Sequence, residues 1–126
     1  MTKTQPESYK VANPMKRMMK DLGWTFYNIN PGTHTDTFPD TWAGHPIYGE
    51  RWIEWKVRYD NTVHLTSSQK KVFPIQIKCG MRIWCIAASD LRGTENYSKR
   101  KKMYNKLFEE PNGYLMLLSS LHRELF

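Results

Sequence analysis

The chain has 126 residues, of which 40% are apolar and 25% charged, a balance that fits one folded domain and excludes a disordered tail. Nineteen Lys and Arg against twelve Asp and Glu leave a net charge of +7, which points to a polyanionic partner, nucleic acid before an anionic membrane surface. The longest apolar runs, Ile83 to Ala88 and Tyr114 to Leu118, are far too short to cross a bilayer, so no membrane association is expected.

The basic excess is uneven. Residues 1–63 carry eight basic and seven acidic groups, residues 64–126 eleven and five. Met1 to Pro6 hold no apolar signal core, and the two cysteines, Cys79 and Cys85, form neither a disulfide framework nor a Cys-x-x-Cys pair. An intracellular protein with reduced thiols is expected, and both cysteines read as small core residues.

In chain order, Asn13-Pro14 reads as a helix start, with Asn13 as the cap and Pro14 in the first turn. Met15, Met18, Met19 and Leu22 share one face at helical spacing and Gly23 closes the helix, so the Met stripe reads as core. Trp24 to Ile29 reads as a strand, and a polar loop follows to Thr37. A short strand around Phe38 to Trp42 leads through Gly44-His45-Pro46 into a longer one, Arg51 to Arg58. There Ile53, Trp55 and Val57 alternate with Trp52, Glu54, Lys56 and Arg58. A helix from Thr66 to about Cys79 follows, with Pro74 expected to kink or interrupt it. Met81 to Ala88 reads as a buried strand, and Ser98 to Phe108 and the segment from Tyr114 onward as helices. This order predicts an α/β sandwich around a mixed sheet, ending in a helical tail.

Chemistry concentrates on the third strand. Glu54 and Lys56, two apart, project from one sheet face while Trp55 anchors the other. Pro39-Asp40 stands fourteen residues earlier at a turn into a neighbouring strand. Two carboxylates on adjacent strands can converge on a divalent cation, and hard oxygen ligands suit Mg²⁺ or Mn²⁺. A lysine beside them could offset charge building on a phosphoryl group. A surface Glu–Lys pair beside a structural turn would show the same residues.

The segments Phe38-Pro39-Asp40, Trp52-Ile53-Glu54-Trp55-Lys56, Leu65-Thr66-Ser67-Ser68-Gln69 and Gly80-Met81-Arg82-Ile83-Trp84-Cys85-Ile86, in that order, resemble the PD-(D/E)xK nuclease superfamily. The likeness is greatest to its virus-type replication–repair nuclease family, VRR-NUC. With Leu22-Gly23-Trp24 it covers about residues 14–88. The resemblance implies a restriction-endonuclease-like α/β core, a mixed central sheet flanked by helices, within a single nuclease domain spanning 1–126. A basic helical tail would occupy about residues 96–126.

It further implies Asp40 and Glu54 as metal ligands, the Trp55 backbone carbonyl as a third, Lys56 as the catalytic lysine and Gln69 at the site. Members often use a glutamate on the first helix. Glu7 is the candidate here, although Asn13-Pro14 stands between it and the Met-rich helix. Two departures are Thr37-Phe38, where a glycine is often found, and Pro74 in the helix bearing Gln69. The implied activity is Mg²⁺- or Mn²⁺-dependent endonucleolytic hydrolysis of DNA, leaving a 5′-phosphate, in phage replication, repair or recombination within the host cytoplasm. Junction or flap selectivity and a homodimer are family expectations. A less selective DNA-degrading nuclease and a catalytically silent DNA-binding module are the alternatives.

Other residues keep two readings. Thr66-Ser67-Ser68-Gln69 fits a capping box, which would explain Gln69 without chemistry. His34 and Asp36 read as loop residues or as additional site groups. His45, His64 and His122 lack zinc spacing. No Gly-x-x-x-x-Gly-Lys-Ser/Thr occurs, so no nucleotide cofactor is expected. Lys99, Arg100, Lys101 and Lys102, with Lys106, put five basic groups in eight positions, either for DNA phosphates or as a solvated helix face. Lys70, Lys71 and Arg58 are further candidate DNA contacts. Trp42, Trp52 and Tyr48 could guide a strand or simply pack.

Overall fold

A computed structural model describes residues 7–29, 38–57, 65–88 and 108–117. It is an α/β fold around one five-stranded sheet in the order β1-β2-β3-β4-β5. The strands are β1 (Thr25–Asn28), β2 (Thr41–His45), β3 (Gly49–Val57), β4 (Ile83–Ala88) and β5 (Gly113–Leu117), and the helices are α1 (Asn13–Asp21) and α2 (Ser67–Lys78). β1, β2 and β3 are antiparallel neighbours. β4 and β5 join parallel, so the sheet is mixed.

The Met stripe of α1 becomes core. Met15, Met18 and Met19 are fully buried against Ile53, Trp55, Trp84, Ile86 and Trp24, each burial contributing roughly 1.5–3 kcal/mol. Ahead of α1, Glu7–Ala12 forms a π-helical turn that runs straight into it. Ala12, in helical conformation, therefore holds the N-cap position, and no side chain caps the helix. Asn13 is not the cap, because the chain before it is already helical. Pro14 stands in the first turn of α1. Asn13-Pro14 does not separate Glu7 from the Met-rich helix.

α2 crosses the other sheet face between the parallel strands β3 and β4, a connection that parallel pairing demands. Helices on both sides leave all six residues of β4 buried, which is why this strand is apolar without alternation. Pro74 does not interrupt α2, which continues from Ser67 to Lys78. Pro74 is solvent-exposed.

The expected helix from Tyr114 onward is instead β5, paired parallel with β4 from Trp84↔Gly113 to Ala88↔Leu117. The chain after residue 88 thus returns to the sheet, and the core extends beyond residues 14–88. A short continuous apolar run such as Tyr114 to Leu117 has no periodicity that separates a strand in a parallel sheet from a helix. Asn112 Oδ1 accepts from Ile83 N–H at 2.7 Å and fixes the entry to β5. Residues 96–107, and with them Lys99 to Lys102, lie outside the described residues. The strand expected at Phe38 to Trp42 begins only at Thr41, since Pro39 has no N–H for a ladder. No helix among the described residues is long and apolar enough to cross a membrane.

Candidate active site

The candidate residues meet where β2 begins beside the middle of β3. Extending the register Thr41↔Ile53 by one residue sets Asp40 opposite Glu54. The backbone fixes Asp40 from two sides. Its carbonyl accepts from Ile29 N–H at 2.9 Å, and its Oδ2 accepts from Trp55 N–H at 3.4 Å. Within an extended strand the N–H and C=O of one residue point to the same neighbour, so the Trp55 carbonyl faces the edge that Asp40 occupies. The Trp55 ring goes the other way, into the core, where its Nε1 donates to Thr41 Oγ1 at 2.8 Å.

Glu54 faces α2 and is only 4% exposed. Lys56 Nζ lies 3.6 Å from its Oε2. Its Oε1 is buried without a hydrogen-bond partner among the described residues. Burial and the Asp40 charge push the Glu54 carboxyl up to about 8, against the opposing pull of Lys56 and the Gln69 amide. An acid raised in this way is relieved by a proton or by a cation. Cys85, its register partner on β4, is also buried, and its thiol is pushed up to about 12, chiefly by burial and next by the Glu54 charge. It is an uncharged wall of the site.

Gln69 combines its two expected positions. Its N–H donates to Thr66 Oγ1 at 3.1 Å and its Oε1 accepts from Thr66 N–H at 2.9 Å, completing the capping box. That leaves the side-chain NH₂ to face Glu54, consistent with its lowering influence there. Gln69 is 3% exposed. Behind it a cleft of about 500 Å³ opens between α2 and the sheet, lined among others by Leu65, Gln69, Phe73, Ile83 and Cys85. Lys70 borders this cleft and Lys71 is exposed on the same helix.

Lys16, on α1, belongs to no motif of the sequence. It is half-buried, its Nζ donating to Asn28 Oδ1 at 2.7 Å and lying 5.9 Å from the Trp55 ring centroid. Burial and Lys20 hold its pKa down, while Asp40 pulls it up. Its short-range sequence context carries no sign of this, because the contact depends on how α1 crosses β1.

Other candidates pack, lie exposed or fall outside the described residues. Tyr48 packs inside, stacked 6.3 Å from Trp24 and 5.6 Å from Phe108, and does not reach the site. His45 is structural: Nδ1 accepts from Ile47 N–H at 3.0 Å, which leaves Nε2 to donate to Leu22 O at 2.9 Å. Cys79 is exposed, not core. His34, Asp36, Arg58, His64, Lys106 and His122 lie outside the described residues, as does the side chain of Glu7.

Among the described residues no group of three His, Cys, Asp or Glu side chains converges to hold a metal. The donors present are two carboxylates and the Trp55 carbonyl, all hard oxygens. With the orphaned Glu54 Oε1 they suit Mg²⁺ or Mn²⁺, which complete their coordination with water. Compared with protein-family models, curated proteins and solved structures, the chain has no match.

Proposed function

We propose that the chain is a metal-dependent endodeoxyribonuclease of the PD-(D/E)xK type, with a restriction-endonuclease-like core. The observation that carries the reading is the meeting of Asp40, Glu54 and Lys56, which are fourteen and two residues apart along the chain, around the unsatisfied Glu54 Oε1. A surface Glu–Lys pair would leave both side chains in water, and a buried, orphaned carboxylate oxygen would then be an uncompensated cost.

In this reading Asp40, Glu54 and the Trp55 carbonyl hold Mg²⁺ or Mn²⁺. Bound there, the ion would supply positive charge to the phosphate oxygens and acidify water. The Trp55 N–H orients Asp40, and the Gln69 NH₂ orients Glu54. Lys56, held beside Glu54 by charge, offsets the negative charge that grows on the phosphate during attack. Water adds to phosphorus and the 3′ oxygen leaves, giving 5′-phosphate and 3′-hydroxyl ends. Paired incisions across a junction need two such sites related by a two-fold axis, so the proposal includes a homodimer.

The test is incubation with labelled single-stranded, duplex, flap and four-way-junction DNA in Mg²⁺, Mn²⁺ or EDTA. Cleavage that requires the metal supports the nuclease. Binding without cleavage in either metal would identify a catalytically silent DNA-binding module.

A further inference from the structure

The sheet face that carries Glu54 also carries a row of aromatic rings. Cross-strand partners share a face, and Tyr27↔Trp42 and Trp42↔Trp52 are directly paired. The row therefore runs Tyr27, Trp42, Trp52 across three strands, on the same face as Asp40 and Glu54 and one row, about 7 Å, away from them. Phe38 adds a fourth ring, 6.5 Å from Trp52, and Tyr27 lies 5.9 Å from Trp42. These rings are not core. Tyr27 is 64% exposed and Phe38 48%, while Trp42 and Trp52 are half-buried.

The orientation of Trp42 is held. Its ring lies over Gly44, where any Cβ would collide with Cη2, and its Nε1 donates to Glu50 Oε2 at 2.8 Å. The glycine lets the indole lie flat along the strand, and Glu50 keeps it there. A ring held flat along the strand offers a stacking surface that needs little ordering on binding.

We propose that Tyr27, Trp42, Trp52 and Phe38 form a base-stacking platform for unpaired DNA nucleotides next to the phosphate at Asp40 and Glu54. This rests on the nuclease reading and gives its substrate class, a strand that is single-stranded beside the cut. Stacked bases in a duplex have no free faces for such rings, whereas splayed bases do. Lys56 on the same face and the +7 charge of the chain match the polyanionic backbone that accompanies the bases.

The test measures binding in EDTA, where cleavage plays no part, of a fluorescein-labelled oligodeoxythymidylate and of a duplex of equal length. Tyr27→Ala and Trp42→Leu should each weaken single-strand binding by roughly five-fold or more, the range for one stacked base. Duplex affinity should hold within about two-fold. Trp42→Phe, which keeps a ring, should restore most of the loss. Tyr27 is exposed enough that its loss leaves folding intact, so the two variants report independently. Unchanged single-strand affinity, or equal losses on both DNAs, would overturn the platform. Failure of metal-dependent cleavage with the stacking effect intact would overturn only the nuclease reading.

Discussion

Glu54 is an acid held where its negative charge is disfavoured. Burial, and after it the Asp40 charge, push its carboxyl up from an ordinary 4.5 to about 8. Between those values the native state binds more protons than the unfolded one, so stability should fall as pH rises from about 4.5 to about 8 and level off above. The effect should amount to a few kcal/mol at most. In EDTA, thermal melting from pH 5 to 9 should show this decline for the wild type and a flatter curve for Glu54→Gln. Parallel curves would mean that Glu54 titrates normally. Strand alternation identified the pair Glu54 and Lys56, but alternation says only which face a residue takes. That α2 covers Glu54 on that face is tertiary information, absent from the local pattern.

At the scale of elements, the Met stripe, the alternating β3 and the Thr66 capping box were legible because each has a period or a fixed spacing. β5 was not, since an apolar run of this length suits a helix and a parallel strand equally. Its placement depends instead on Arg51, a residue with no recognisable motif. Arg51 is 3% exposed, lies 5.2 Å over the Trp84 ring, and has no carboxylate partner in its hydrogen bonds among the described residues. Its Nε donates to Glu110 O at 3.1 Å, its Nη2 to Phe108 O at 3.0 Å, and its Nη1 to Tyr48 O and Glu50 O at 2.9 and 2.7 Å. One buried guanidinium thus ties the chain that leads into β5 to the start of β3. Arg51→Met keeps the stem's volume but strips partners from these carbonyls. It should cost about 3 kcal/mol or more, at roughly 1–3 kcal/mol for each group left unsatisfied. Urea unfolding would check this, and a change under about 0.5 kcal/mol would remove Arg51 from that role.

At the scale of the whole molecule, charge and chemistry divide between two parts of the chain. The carboxylates and Lys56 lie in the first half, which is nearly neutral, and eleven of the nineteen basic residues lie in the second. The run from Lys99 to Lys102 is expected to neutralise DNA phosphates. Replacing Lys99, Arg100, Lys101 and Lys102 with glutamine should weaken DNA binding whatever the sequence. It should also flatten the dependence of log affinity on log salt by about 0.9 for each duplex phosphate that is no longer neutralised. Affinities measured in EDTA across a salt series would show it. Parallel lines for the two proteins would place the phosphate-binding groups elsewhere, with Lys70, Lys71 and Arg58 next in line.

The central claim is that Asp40, Glu54 and Lys56 form one centre that cuts DNA. The most direct measurement is the single-turnover rate of Mg²⁺-dependent cleavage by wild type, Glu54→Gln and Lys56→Ala. Each preparation should be purified free of contaminating nuclease and checked for native melting. At least about a hundred-fold loss is predicted in each variant, as for other groups that stabilise transition-state charge, with the folded structure retained. Wild-type rates in both variants would contradict the claim.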